Sequence, residues 1–125
     1  MNTSIYQADI IDQAKNPLNF NKKIVCDINS QHKNASCGDE IYVELKIDKQ
    51  KVVDISWKGQ GCTISMAAMS MLSEYIKNKS LAEIKNYNLK TINFLFDHEI
   101  NFGRIKCATL GLQSIQKAIK KYEQK

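Results

Sequence analysis

Three cysteines stand apart in this chain, each in its own setting. They occur as Ser36-Cys37-Gly38-Asp39, Gly59-Gln60-Gly61-Cys62 and Arg104-Ile105-Lys106-Cys107. Thiolates and a carboxylate, once brought together, form a soft and anionic donor set. Such a set suits zinc, iron–sulfur clusters or sulfur transfer. The neighbours fit the same chemistry. Lys106 and Arg104 are cations that would favour a thiolate, and Gly38 and Gly61 would let the backbone approach a bound ion closely. A single thiol is more often core filling than a ligand. Cys26 reads that way, because it alternates with Ile24 and Ile28; the other three are set apart by their local contexts. His32 and His98 read as surface residues, with His32 on the loop before Cys37.

The elements that must position these groups follow from hydrophobic period. Ile5, Ala8 and Ile11 fall at helical spacing, predicting a helix over 4–15. Asn16-Pro17 stops it, since a residue before proline avoids the helical region. Ile24, Cys26 and Ile28 predict a first strand, and His32 to Asp39 a loop. Ile41, Val43, Leu45 and Ile47 alternate with polar neighbours, as do Val53, Ile55 and Trp57. Two more strands are expected there, turning around Asp48-Lys49-Gln50 without an Asn-Gly signal. After Cys62 the period becomes helical through Ile64, Ala67, Ala68, Met71, Leu72, Tyr75 and Ile76. Met66, Met69 and Met71 read as packing of that helix. Ser80-Leu81-Ala82-Glu83 resembles a capping box, and residues 88–102 carry a further helical pattern. Leu112, Ile115, Ile119 and Tyr122 mark a C-terminal helix starting at Cys107. The expected architecture is α+β: a three-stranded antiparallel sheet with helices packed on one face, in one domain spanning 1–125.

The hairpin predicts geometry. Cys37 lies 12 residues before Lys49, and Cys62 lies 13 after it. Positions equidistant from a turn end up opposite each other in an antiparallel pair. Cys37, Asp39 and Cys62 should therefore meet at the open end of the hairpin. Cys107 joins them only when the C-terminal helix packs back with its start at that end. Cys62 and Cys107 are each expected just before a helix, where free N–H groups and partial positive charge favour a thiolate.

Composition narrows the class. The chain has 125 residues, of which 43% are hydrophobic and 25% charged, an ordinary globular balance. A chain of this length buries roughly two-thirds of its unfolded surface. The net charge of +5 is nearly all lysine, scattered and without interleaved aromatics, and Arg104 is the only arginine. That reads as a solvated surface, so nucleic acid is not expected as a partner. No apolar run is long enough for a membrane span, and the first residues do not read as a signal peptide. A cytoplasmic setting is expected, where cysteines stay reduced and serve as ligands or nucleophiles.

At the cysteines the chain also resembles a known family. Cys37-Gly38-Asp39, Gly59-Gln60-Gly61-Cys62-Thr63-Ile64-Ser65-Met66-Ala67 and Arg104-Ile105-Lys106-Cys107-Ala108-Thr109-Leu110 resemble the U-type iron–sulfur cluster assembly proteins, as does Asn16-Pro17-Leu18-Asn19. The IscU-like scaffold branch of that family has a histidine immediately before its last cysteine, where this chain has Lys106. The Gly-Gln-Gly-Cys-Thr-Ile-Ser-Met-Ala and Arg-Ile-Lys-Cys-Ala-Thr-Leu stretches look like the SufU branch. The extra segment that SufU-like proteins carry before the last cysteine is missing between Lys77 and Arg104.

The resemblance implies that Cys37, Asp39, Cys62 and Cys107 bind Zn2+ and that the protein accepts sulfur from a cysteine desulfurase. Cys37 would be the sulfur acceptor, and Asp39 the hard ligand that exchanges. Two alternatives stay open. The same four residues could hold iron or a [2Fe–2S] cluster on a scaffold that hands it to apo iron–sulfur proteins. They could also form a zinc module used only for partner binding.

Overall fold

The computed structural model describes residues 3–34 and 38–125. In chain order these form α1 (Thr3–Lys15), β1 (Ile28–Lys33), β2 (Glu40–Asp48), β3 (Lys51–Gln60), α2 (Thr63–Tyr75), α3 (Leu81–Lys85), α4 (Leu89–Phe96) and α5 (Ile105–Glu123). A 3-10 turn over Phe102–Arg104 feeds α5. The strands make one antiparallel sheet in the order β1-β2-β3. The long helices share one face of it, with α5 against β1 and β2, and α2 against β3 and α5. No helix among the described residues is long and apolar enough to cross a membrane.

The hairpin is the frame for everything else. Ile41, Val43, Leu45 and Ile47 point into the core, as alternation requires. The tight turn places Lys49 at φ 50° and Gln50 at φ 64°, both left-handed, although neither is glycine. A turn of this hand matches the twist of the flanking strands. The register slips between Lys46 and Ile47: Lys46 opposes Asp54, but Ile47 opposes Val52. Val53 is thus the extra residue of a bulge. This corrects the expected phase of β3, since Val52 is fully buried and Val53 is only half-buried.

The first strand is also displaced from its expected place. Residues 22–27 are irregular, Val25 is 80% exposed, and the strand begins where the apolar alternation ends, at Ile28. His32 and Lys33 are therefore in β1, not in a loop. The polar sequence Ile28-Asn29-Ser30-Gln31-His32-Lys33 has weak strand preference of its own, so pairing to β2 makes it a strand. Asp27 ends the pairing: its N–H bonds the Leu45 carbonyl, while its carboxylate accepts from the Ile47 N–H at 2.7 Å. Cys26 is accordingly not a core residue. It is half-buried, and its Sγ lies 3.6 Å from Glu44 Oε2. Burial, reinforced by the Glu44 charge, pushes its thiol pKa up.

Both sheet edges are covered. Three lysines four residues apart, two on α5 and Lys125 just beyond its end, donate to β1-side carbonyls: Lys117 to Gln31, Lys121 to Asn29 and Lys125 to Asp27, each at 2.9 Å. On the other side Asn19 and Asn21 pair with Trp57, and Lys79 and Asn78 pair with Val52. Trp57 is buried, donates to the Leu18 carbonyl at 2.8 Å and meets the Phe20 ring edge-on. The Asn16-Pro17-Leu18-Asn19 motif therefore docks α1 to the sheet and to α2.

Two helix bounds differ from expectation. The pattern over 88–102 yields only α4, because Asp97 turns left-handed at φ 53° and ends it. The C-terminal helix begins at Ile105, so Cys107 sits inside its first turn, not ahead of it. At α3, Ser80 accepts from the Glu83 N–H at 3.1 Å, while the Glu83 carboxylate accepts from the Tyr87 hydroxyl.

Candidate metal centre

The chain enters the site from β1, whose end leads to β2. Gly38 N–H bonds the Asn34 carbonyl at 2.9 Å, and Asn34 N–H bonds the Asp39 carbonyl at 2.8 Å. Gly38 lies at φ 76°, a left-handed conformation that side-chain-bearing residues adopt less readily, so the bend favours glycine. The alternation of β2 then puts Asp39 on the same face as Ile41, toward the helices. Its side chain is 7% exposed. Cys37 lies outside the described residues.

From the partner strand, β3 ends at Gln60 opposite Glu40, which sets Gly61 beside Asp39. A Cβ on Gly61 would stand 3.0 Å from Asp39 Cγ and 3.0 Å from Ser65 Cβ. Glycine is needed here because the carboxylate packs on its Cα. Cys62 follows as the N-cap of α2, with extended backbone at φ −70° and ψ 169°. The third group arrives from the far end of the sequence. α5 packs along the sheet, anchored by the Ser114 hydroxyl on the Ile41 carbonyl at 3.1 Å, and its first turn delivers Cys107.

The donor atoms of Asp39, Cys62 and Cys107 all lie within 4.8 Å of one another, two of the three residues being buried. This is the one such group of histidine, cysteine and acidic side chains among the described residues. Asp39 and Cys62 converge as the hairpin spacing requires, and the docking of α5 adds Cys107. Arg104 and Lys106 are exposed at the start of α5, on either side of Ile105. His32 is half-buried on β1, and His98 is exposed after α4.

Burial works against ionising the Cys62 thiol, but hydrogen bonds overcome it. The Ser65 N–H and hydroxyl, then Cys107 and the Ile64 N–H, together hold its pKa below the usual thiol value. These N–H groups are orphan donors of the first turn of α2, available because a helix start has no preceding carbonyls.

Sequence reasoning passed over Ser65. Its hydroxyl is 2.7 Å from Asp39 Oδ2, 3.1 Å from the Cys107 carbonyl and 3.6 Å from Cys62 Sγ. It touches all three described donor residues. The signal was the spacing Cys62-x-x-Ser65, because the third residue of a helix folds back over its N-cap.

Residues 5–125 match the family described as the NifU-like N-terminal domain. The chain belongs to this family. Among NifU-like relatives, it is 34% identical to the zinc-dependent sulfurtransferase SufU of Bacillus subtilis, over 96% of this chain and 92% of that one. It is 32% identical to the iron–sulfur cluster assembly scaffold protein IscU of Buchnera aphidicola, over 96% of this chain and 97% of that one. The crystal structure of a NifU-like protein (N-terminal) from Brucella abortus superposes with a TM-score of 0.82 at 17% identity, covering 97% of this chain and 96% of that one. The fold is therefore that of the NifU-like domain. The SufU alignment runs over 140 positions while covering 96% of 125 residues, so about 20 positions (140 less about 120) face gaps in this chain. The IscU alignment spans 124 positions for the same coverage and is nearly gapless.

Proposed function

We propose that this protein is an iron–sulfur cluster assembly protein that accepts persulfide sulfur from a cysteine desulfurase at a zinc site formed by Cys37, Asp39, Cys62 and Cys107. The observation that supports this most is the convergence of Asp39, Cys62 and Cys107 at two helix starts, their donor atoms within 4.8 Å. The 34% identity to a zinc-dependent sulfurtransferase points the same way. Thiolate sulfur with one carboxylate oxygen is a donor set that zinc takes readily. When bound, zinc would keep the thiols deprotonated at neutral pH.

The chain's own part is nucleophilic. A thiolate, assigned to Cys37, attacks the terminal sulfur of the desulfurase persulfide. A new S–S bond forms on the acceptor, the donor's S–S bond breaks, and the desulfurase cysteine leaves as a thiolate. The persulfide proton travels with the transferred sulfur, and nothing is oxidised or reduced overall. Lys106 and Arg104, exposed beside Cys107, are placed to favour the anionic partners of this exchange.

The test mixes the full chain with a cysteine desulfurase and cysteine while zinc content is measured. Colourless, zinc-loaded protein should raise desulfurase turnover, and Cys37→Ala should not. No rise with wild type, or an equal rise with Cys37→Ala, overturns the reading.

A scaffold reading has its own support in the nearly gapless alignment with IscU. On it, the same residues hold a [2Fe–2S] cluster destined for apo iron–sulfur proteins. Anaerobic incubation with Fe2+ and sulfide decides between the two: a stable visible absorption favours the scaffold, and a colourless protein that retains zinc excludes it.

A further inference from the structure

The Ser65 hydroxyl is 1% exposed and has a single proton to give. Two oxygens compete for it, Asp39 Oδ2 at 2.7 Å and the Cys107 carbonyl at 3.1 Å. The carboxylate contact is the shorter, as expected of a charge-assisted bond. The same Oδ2 accepts from the Cys62 N–H at 3.3 Å. Asp39 is thus held by two donors from the first turn of α2, while Gly61 is bare so that the carboxylate can lie there.

We propose that Ser65 is the positioning residue that keeps the Asp39 carboxylate in the donor cluster, and that it is also the point of release. Turning its proton to the Cys107 carbonyl removes the shorter of these two bonds from the carboxylate without orphaning a buried hydroxyl, since the second acceptor is already in reach. Asp39 becomes the ligand whose hold is adjustable, while Cys62 and Cys107 stay fixed at the starts of their helices. This rests on the metal-site reading above and assigns the control of its carboxylate.

The experiment measures Zn2+ affinity by chelator competition, and the absorption spectrum of the Co2+-loaded full chain. It compares wild type, Ser65→Ala, Asp39→Ala and the double variant. Groups that orient a metal ligand typically carry a 10- to 100-fold share of metal affinity. Ser65→Ala should weaken zinc binding by about that factor and shift the Co2+ spectrum toward that of Asp39→Ala, though no ligand is removed. In the Asp39→Ala background the same change should cost nothing further. An unaltered affinity and spectrum in Ser65→Ala overturns the proposal, and so does an equal loss in both backgrounds. Should Ser65→Ala fail to fold, Ser65→Thr keeps the hydroxyl and should retain the wild-type spectrum; a folded Ser65→Thr with the Asp39→Ala spectrum counts against it. A wild-type chain that takes up neither metal sinks the metal-site reading itself, and this proposal with it.

Discussion

At the scale of single residues, the site depends on groups too small or too plain to announce themselves. Gly61 is one. Adding a methyl forces it into a 3.0 Å contact with Asp39 and with Ser65, both hemmed in by other elements. Gly61→Ala should cost about 1–3 kcal/mol of stability, in the range of overpacking. It should weaken zinc binding tenfold or more, read by denaturant melts and chelator competition. The thiols differ as well. Hydrogen bonds lower the Cys62 pKa, so its reactive thiolate persists to lower pH, whereas burial and the Glu44 charge raise that of Cys26. In the metal-free protein, alkylation mapped by mass spectrometry should therefore show Cys62 reacting with a midpoint below the ordinary thiol value. Cys26 should react with a midpoint above it. Coincident profiles would show that the helix start does not act on Cys62. Asp39, Cys62 and Cys107, which the structure brings together, were legible as candidate donors from residue type and context; Cys37 lies outside the described residues. Ser65 was not, because a serine in a helix has many uses and only the folded contact selects one.

At the scale of elements, local pattern succeeded where burial alternates and failed where pairing decides. The strands of the hairpin were legible in Ile41 to Ile47 and in Ile55 and Trp57. The bulge was not, because a run of Lys51-Val52-Val53 offers two valines and only the register chooses between them. Val52→Ala should accordingly lose about 2 kcal/mol or more in urea unfolding, and Val53→Ala well under half of that. The reverse order would refute the bulge. The first strand was misplaced for a related reason: Ile24 and Cys26 alternate, yet the Asp27 carboxylate takes the Ile47 N–H and the ladder stops there, although β2 continues to Asp48. The α5 lysines Lys117 and Lys121 set charge along this polar edge strand. Charged side chains over a sheet edge discourage a second chain from pairing there. Lys117→Ala with Lys121→Ala should leave the fold intact and raise self-association in sedimentation, more so at high protein concentration.

At the scale of the whole molecule, the site gathers groups from residue 39, residue 62 and residue 107, which the chain separates widely. A ligand binding all of them ties the hairpin to α2 and α5 at once. Free zinc at a thousandfold excess over its Kd should therefore raise unfolding free energy by about 4 kcal/mol. That corresponds to a Tm increase of roughly 10 °C or more for a domain of this size, reversed by chelation. Cys107→Ala should abolish most of the increase while leaving the metal-free Tm nearly unchanged; a full increase in that variant would show that Cys107 is not part of the site. By itself, the sequence determined the element types, the hairpin and the meeting of Asp39 with Cys62, because these follow from period and from counting residues about a turn. Only the tertiary structure decided that Cys107 arrives beside them and that Ser65 links the three. Both depend on how α5 lies across the sheet, which is set by the shape of a shared core and not by any local pattern.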